Sequence, residues 1–97
     1  MIPVRLTSAA QGDIADALDW YDQHAPGIGS RFLGEFEALV LRLGENPRQF
    51  PQTYRELRRA GFRHFPYGLF FRLNSAEVEI IACFHASRAP RRWQGRV

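Results

Sequence analysis

The sequence has no lysine and a single cysteine, Cys83. One cysteine excludes an internal disulfide and a cysteine-rich metal site, and no paired histidine or cysteine motif has the spacing of metal ligands. No stretch approaches the about 20 apolar residues of a membrane span, and residues 1–6 lack the basic and apolar segments of a signal peptide. We therefore expect a cytoplasmic protein with no membrane partner, no metal and no other cofactor.

Arginine supplies all thirteen basic side chains other than histidine. Residues 1–47 contain three arginines and seven acidic residues, a net charge of −4, whereas residues 48–97 contain ten arginines and three acidic residues, a net charge of +7. Coding bias in a GC-rich genome explains arginine in place of lysine, and bidentate binding of phosphate or carboxylate is the alternative explanation. Bias does not explain why the arginines gather in the second half. The concentration of arginine in residues 48–97 predicts a basic surface that binds phosphate groups or an acidic protein.

The length of 97 residues predicts one domain that spans residues 1–97. Apolar residues make up 45% of the chain, which is enough for one packed core but too little to divide between two. A domain of this size buries about 60 to 65% of the surface of its extended chain, so a bound partner could supply much of its stability.

The first 25 residues predict a short strand followed by a helix. Residues 2–6 alternate weakly between apolar and polar side chains, as in a strand. Apolar residues then recur at helical spacing over residues 9–23, after a capping box formed by Ser8 and Gln11. We therefore expect the chain to pass directly from the strand into the first helix.

A second helix is predicted after the turn at residues 26–29. Its cap is Ser30 or Gly29, and Pro47 ends it because the residue before a proline disfavours the helical conformation. Since the turn between them is short, the two helices form an antiparallel hairpin.

From Phe50 onward the apolar period changes from that of a helix to that of a strand. Four strands are predicted, at Tyr54–Arg58, Phe62–Phe65, Gly68–Asn74 and Val78–His85. Consecutive strands this close form an antiparallel meander. The fold class is then α+β, in the order β-α-α-β-β-β-β, with the helical hairpin packed on one face of a small antiparallel sheet. The other face is expected to be open and to display Arg72, Cys83 and His85.

The second half also interleaves its arginines with aromatic residues. Charge for phosphate and rings for stacking together suit RNA, DNA or a nucleoprotein. The alternative is a solvated basic surface whose aromatic residues belong to the core. The arginines of this cluster are Arg55, Arg58, Arg59, Arg63, Arg72, Arg88, Arg91, Arg92 and Arg96.

His85 is the strongest candidate for acid-base chemistry, because it ends the last strand three residues before Arg88. It could move a proton beside a phosphate bound by arginine, or it could be an ordinary hydrogen-bonded histidine. Cys83 is a weaker candidate, as a nucleophile activated by His85. No spacing of serine with histidine and aspartate predicts a triad.

Helix one carries an aspartate at every third position. Such a stripe is typical of a solvated helix face, and docking to a basic partner is the alternative. The four residues are Asp13, Asp16, Asp19 and Asp22.

Several motifs in their order resemble the RelE/ParE superfamily of toxins from type II toxin-antitoxin systems, in the branch of plasmid stabilisation proteins. The resemblance covers nearly the whole chain. It implies a strand, a helical hairpin and an antiparallel sheet, as well as a cognate antitoxin that lays an extended and helical segment over the toxin. The motifs lie at residues 17–21, 26–33, 46–51, 58–60, 65–67, 71–72 and 85–93.

Members of this superfamily differ in their target. RelE-like members cut mRNA on the translating ribosome, whereas ParE-like members inhibit DNA gyrase. This chain departs from the nuclease pattern in its lack of lysine, in Gly68 where many nucleases have an arginine, and in Trp93 with no tyrosine in the C-terminal segment. These departures favour a gyrase inhibitor.

Two other functions stay open at the level of sequence. A nuclease could use Arg63, Arg72, His85 and Arg88, with arginine stabilising phosphate charge and His85 transferring a proton. A degenerate toxin would act only as a binding module. For any of these functions, the residues expected to contact the target are Arg58, Arg59, Arg63, Arg88, Arg91, Arg92 and Trp93.

Overall fold

The first strand leads into the first helix through Thr7. A computed structural model, which describes residues 1–97, has strand β1 at Val4–Leu6 and helix α1 at Ser8–His24. The Thr7 hydroxyl accepts a hydrogen bond from the backbone N–H of Ala10 at 3.1 Å. The predicted capping box of Ser8 and Gln11 is therefore wrong by one residue, because Thr7 has the extended backbone of a cap and Ser8 is already helical.

Helix α2 spans Ile28–Glu45, and Gly27 is its N-cap. Gly27 has φ of 88°, a left-handed conformation that glycine adopts at little cost. The expected cap at Ser30 or Gly29 is wrong, because both residues lie inside the helix. The predicted end of α2 before Pro47 is confirmed, and one turn of 3-10 helix follows at Pro47–Gln49.

Five strands form one mixed sheet in the order β1-β5-β4-β3-β2. The four later strands are antiparallel neighbours, as predicted, whereas β1 joins the edge of β5 in parallel. The helical hairpin packs on one face, which confirms the α+β class. The later strands are β2 at Gln52–Tyr54, β3 at Leu57–Gly61, β4 at Tyr67–Leu73 and β5 at Val78–His85.

Two of the predicted strands are wrong. The segment 54–58 is broken by a turn at Arg55, whose φ of 51° is left-handed, so it contributes to both β2 and β3. The segment 62–65 is a loop, because Phe62 and Phe65 turn toward the helices and pack around Phe32. Aromatic residues that fill a core from a loop imitate the alternation of a strand.

A β-bulge in β5 reverses its faces. Phe70 is opposite Ala82, but the next residue, Phe71, is opposite Ile80, so Ile81 is the extra residue. Beyond the bulge Cys83 lies under the helices, where it is 2% exposed. His85 is opposite Tyr67 and shares the face of Cys83. The expectation that Cys83 and His85 lie on an open face is therefore wrong, because the extra residue shifts the alternation of the strand.

The face opposite the hairpin is covered in part by the C-terminal segment, which was expected to be too short for the core. Helix α3 spans Arg91–Gln94 and buries Trp93, which stacks on Phe70 with ring centroids 4.0 Å apart. A second, smaller core forms there from Leu57, Phe70, Ile81, Ala82 and Trp93. None of the helices combines the length and apolar character needed to cross a membrane.

Candidate functional site

Arg59 lies across a pair of glycines on the face of the sheet opposite the hairpin. Gly61 and Gly68 are direct partners between β3 and β4. A Cβ atom on Gly68 would lie 2.5 Å from Arg59 Nε and 2.7 Å from its Cζ, and one on Gly61 would lie 3.0 Å from Nη1. The guanidinium group can lie flat against the sheet because neither glycine has a side chain.

The turn that follows β5 brings a second arginine and a histidine to this end of the sheet. His85 Nδ1 accepts the backbone N–H of Ser87 at 3.0 Å. In the neutral ring the proton is therefore on Nε2, which is left as a donor. The ring is edge-on to Tyr67, with centroids 5.2 Å apart, and Arg88 follows in the same turn with its side chain exposed.

These residues line a cleft of about 250 Å³, which we call the arginine cleft. Its wall contains the cations Arg59 and Arg88 together with His85, and it contains no carboxylate. Neither arginine forms an ion pair. The cleft can therefore accept an anion without displacing an acidic side chain. Its main lining residues are Thr53, Arg59, Phe84, His85, Arg88 and Trp93.

A second cleft, of about 470 Å³, lies on the other side of His85, between α1 and the C-terminal segment; we call it the helix cleft. One wall is acidic and aromatic, with Asp13, Asp16 and Trp20, of which Trp20 is 53% exposed. The other wall is basic, with Arg88 and Arg92. Because its walls have opposite charge, this cleft suits a partner with both charges more than a simple anion.

Arg72 lies far from both clefts. Its Nε donates to Glu79 Oε1 at 2.7 Å, and Arg5 binds the same carboxylate. The hydrogen bond from Arg72 lowers the pKa of Glu79, burial opposes this effect, and the charges of both arginines add to it. Arg72 is opposite Glu79 and His85 is opposite Tyr67, five residues away along β4, so Arg72 and His85 are about 17 Å apart along the sheet.

Arg63 belongs to a third region, at the loop between β3 and β4. The carboxylate of Glu35 in α2 accepts the backbone N–H of Arg63 at 2.5 Å and that of His64 at 2.7 Å. Burial raises the pKa of Glu35, but the hydrogen bonds from His64 and Arg63 outweigh it, and the net pKa is lowered. The Arg63 side chain lines a hollow beside α2 with Glu35 and Arg42. The structure therefore brings His85 and Arg88 together, but neither Arg63 nor Arg72 joins them.

The remaining residues expected to contact a target have different environments. Arg58 Nη1 donates to the carbonyl of Phe50 at 2.6 Å and is half-buried. Arg91 and Arg92 are exposed on α3. Trp93 is 8% exposed, so its ring supports α3 from below and is not presented at the surface.

The Cys83 thiol has no features of a nucleophile. Burial, with a contribution from the charge of Asp13, raises its pKa to about 12. A thiol with such a pKa is almost entirely protonated at neutral pH and is unreactive.

No group of three or more histidine, cysteine or acidic residues is arranged to hold a metal ion.

Two features of the site were missed from the sequence. The position of Arg59 against the sheet depends on the pairing of Gly61 with Gly68. A glycine inside a strand pattern is the sequence feature that indicates such a close approach of another group to the backbone. The contact between Asp13 and Arg96 joins residues that are 83 positions apart, so no local sequence pattern indicates it.

Comparison with known proteins gives a family match over most of the chain. Residues 4–90 match the family described as the ParE toxin of the type II toxin-antitoxin system, parDE. Among curated proteins, sequence comparison finds no match.

Three solved structures share the fold. The chromosomal ParDE TA system from P. aeruginosa matches with a TM-score of 0.77 and 19% identity, over 88% of this chain and 96% of that one. The RelBE2 toxin-antitoxin complex from Mycobacterium tuberculosis matches with a TM-score of 0.57 and 22% identity, over 88% and 93%. The conserved hypothetical protein HP0894 from Helicobacter pylori matches with a TM-score of 0.59 and 16% identity, over 91% and 98%. At these identities the likeness shows a common fold.

Proposed function

The chain belongs to the ParE toxin family of type II toxin-antitoxin systems, and on that premise we propose that it arrests bacterial growth in the cytoplasm by inhibiting DNA gyrase. The family match confirms the resemblance to RelE/ParE toxins that the sequence motifs indicated. The choice of gyrase rests on the ParE branch of that superfamily and on the arrangement of the basic side chains.

The observation that carries this proposal is the separation of the expected nuclease residues. Arg72 binds Glu79 about 17 Å along the sheet from His85, and Arg63 lies beside α2. An endonuclease needs its charge-stabilising groups within about 3 Å of one reacting phosphate. The predicted set of four cannot meet that condition in this fold, which favours an action by binding over RNA cleavage.

A cognate antitoxin is the second part of the proposal. Two of the structurally similar proteins are described as a ParDE TA system and a toxin-antitoxin complex. The helix cleft, with its oppositely charged walls and the exposed ring of Trp20, offers a surface for such a protein. We infer that the antitoxin is a small protein encoded beside this gene.

A ribosome-dependent mRNA endonuclease is the second candidate, and one observation favours it. His85 keeps Nε2 free as a donor and lines the same cleft as Arg59 and Arg88. A smaller nuclease site could therefore use these three residues in place of the four predicted from the sequence.

The experiment that tests the proposed function is induced expression with and without the neighbouring small reading frame. Expression of the toxin alone is expected to arrest growth and induce a DNA-damage response while mRNA stays intact in primer extension. Codon-positioned cleavage that His85→Ala abolishes would replace gyrase inhibition with the nuclease function. Unimpaired growth at high expression would indicate a degenerate toxin that acts only as a binding module.

A further inference from the structure

We propose that the arginine cleft binds a backbone phosphate of DNA, so that this toxin contacts the DNA held by gyrase as well as the enzyme. This inference rests on the proposed function, because gyrase inhibition is what brings the toxin to DNA. It adds a ligand class, a nucleic-acid phosphodiester, and a set of residues that contact it.

The charge of the arginine cleft is unbalanced. Arg5, Arg72 and Arg96 each bind a carboxylate of this chain. Arg59 and Arg88 do not, although both line one cleft that lacks any acidic residue. Two uncompensated guanidinium groups at one concave site raise the local positive potential and favour a bound anion.

Arg59 is held in position before any ligand arrives. Its guanidinium lies over Gly68, and its Cζ is 5.9 Å from the centre of the Phe70 ring. A side chain confined in this way loses less rotamer entropy on binding than a free surface arginine does. The two glycines and the Phe70 ring thus keep Arg59 ordered, as expected of a ligand-binding group. Arg91 and Arg92, in contrast, are exposed cations on the short helix α3.

The cleft is lined by residues with several kinds of hydrogen-bond donor. Besides the two arginines, His85 and Thr53 line the cleft, and their side chains carry an imidazole and a hydroxyl group that can donate hydrogen bonds. Guanidinium, imidazole and hydroxyl donors together match the several oxygens of a phosphate.

A polyanion fits the surroundings better than a single acidic side chain does. Arg91 is exposed on α3 next to Pro90, which lines the cleft, and Arg92 lines the neighbouring helix cleft; neither forms an ion pair. A track of cations beside one ordered site is the arrangement that follows consecutive phosphates of a nucleic acid.

The test measures binding of a 20-base-pair DNA duplex to the full chain by fluorescence anisotropy over a range of salt concentrations. Arg59→Gln and Arg88→Gln are expected to weaken binding about tenfold each and to reduce the salt slope by about one. The matched control is Arg31→Gln, which removes the same charge from an exposed, unpaired position on α2. It is expected to change affinity less than about threefold.

A second variant separates position from charge. Gly68→Ala keeps every charge but adds a Cβ atom where Arg59 now lies, and it should reproduce the loss seen in Arg59→Gln. Thermal melting establishes that the variants fold, and Arg59→Lys should restore part of the affinity because it returns the charge. If Gly68→Ala does not fold, the comparison of Arg59→Gln with Arg31→Gln still decides.

Equal losses in Arg59→Gln and Arg31→Gln would overturn the proposal, since they would mean a diffuse electrostatic attraction. Tighter, Arg59-dependent binding of a poly-glutamate peptide than of the duplex would overturn it too, because the cleft would then be a carboxylate site. Arg59-dependent binding of DNA with no inhibition of gyrase would keep the phosphate site and contradict the proposed function. Inhibition of gyrase that Arg59→Gln leaves unchanged, with no binding of DNA, would keep the proposed function and contradict the phosphate site.

Discussion

Arg96, next to the last residue, forms a two-pronged ion pair with Asp13 in the first helix. Its Nη1 lies 2.6 Å from Oδ2 and its Nη2 lies 3.0 Å from Oδ1 of the carboxylate. Arg96 also donates to the carbonyl of Ile81, and Asp13 accepts the N–H of Cys83. Since β1 pairs with β5 only as far as Ile80, these two side chains satisfy backbone groups on an edge that no strand covers.

This contact predicts that Asp13→Asn destabilises the fold. The amide can still accept the N–H of Cys83, so the loss is the charge-assisted pair with Arg96, which we expect to contribute about 1 to 2 kcal/mol. Urea denaturation measures it. Asp16→Asn, on an exposed position of the same helix, is the control and should change the free energy of unfolding by less than about 0.5 kcal/mol. Equal effects of the two variants would contradict a specific role for Asp13.

Replacement of Trp93 should lower the free energy of unfolding more than Asp13→Asn does. Its ring is 8% exposed and stacks on Phe70 in the smaller core, so Trp93→Ala should cost about 3 kcal/mol or more and release α3 from the sheet. The matched control is Trp20→Ala, because Trp20 is 53% exposed. Denaturation of the two variants side by side checks the difference. A tolerated Trp93→Ala would mean that the C-terminal segment does not pack as described.

The Cys83 thiol should be inert in the folded protein. It is 2% exposed, and burial raises its pKa to about 12, so a disulfide reagent at pH 8 should label it only as fast as the chain opens. A cysteine introduced at the exposed Ser75 supplies the reference for a freely accessible thiol. Labelling of Cys83 at the rate of that reference would disprove its burial.

The lowered pKa of Glu79 makes the stability of the fold depend on pH. The hydrogen bond and charge of Arg72 lower its pKa in the folded state, so the carboxylate binds fewer protons there than in the unfolded chain. Its contribution is therefore present above the unfolded pKa of about 4.3 and is lost as pH falls through the lower, folded value. Glu79→Gln should reduce stability by about 1 kcal/mol at pH 7, and the difference from the wild type should vanish in strong acid. A difference that does not change with pH would contradict the pairing.

The sequence predicted those elements whose apolar pattern is long. The bounds of β5 are as predicted, and α1 and α2 differ from the prediction by only a few residues. The errors come from tertiary packing. Phe62 and Phe65 have the spacing of strand residues, but they lie in a loop and pack into the core under the helices. The bulge at Ile81 cannot be recognised in the apolar pattern of β5.

The site was predicted in part for the same reason. His85 and Arg88 are close in sequence, so their association could be expected, whereas Arg59 reaches them only through the pairing of β3, β4 and β5. A regular β5 would place Arg72 and His85 on the same open face, but the bulge puts His85 on the hairpin face beside Tyr67. The register of the sheet separates them along its length.

Inhibition of gyrase by this toxin can be measured with the purified enzyme. The chain is incubated with gyrase and relaxed plasmid, with and without the product of the neighbouring reading frame, and supercoiling is followed on gels. We expect supercoiling to fall as the toxin is added and to recover when the antitoxin is present. Full supercoiling at every toxin concentration, together with cleavage of mRNA in translating extracts, would contradict it.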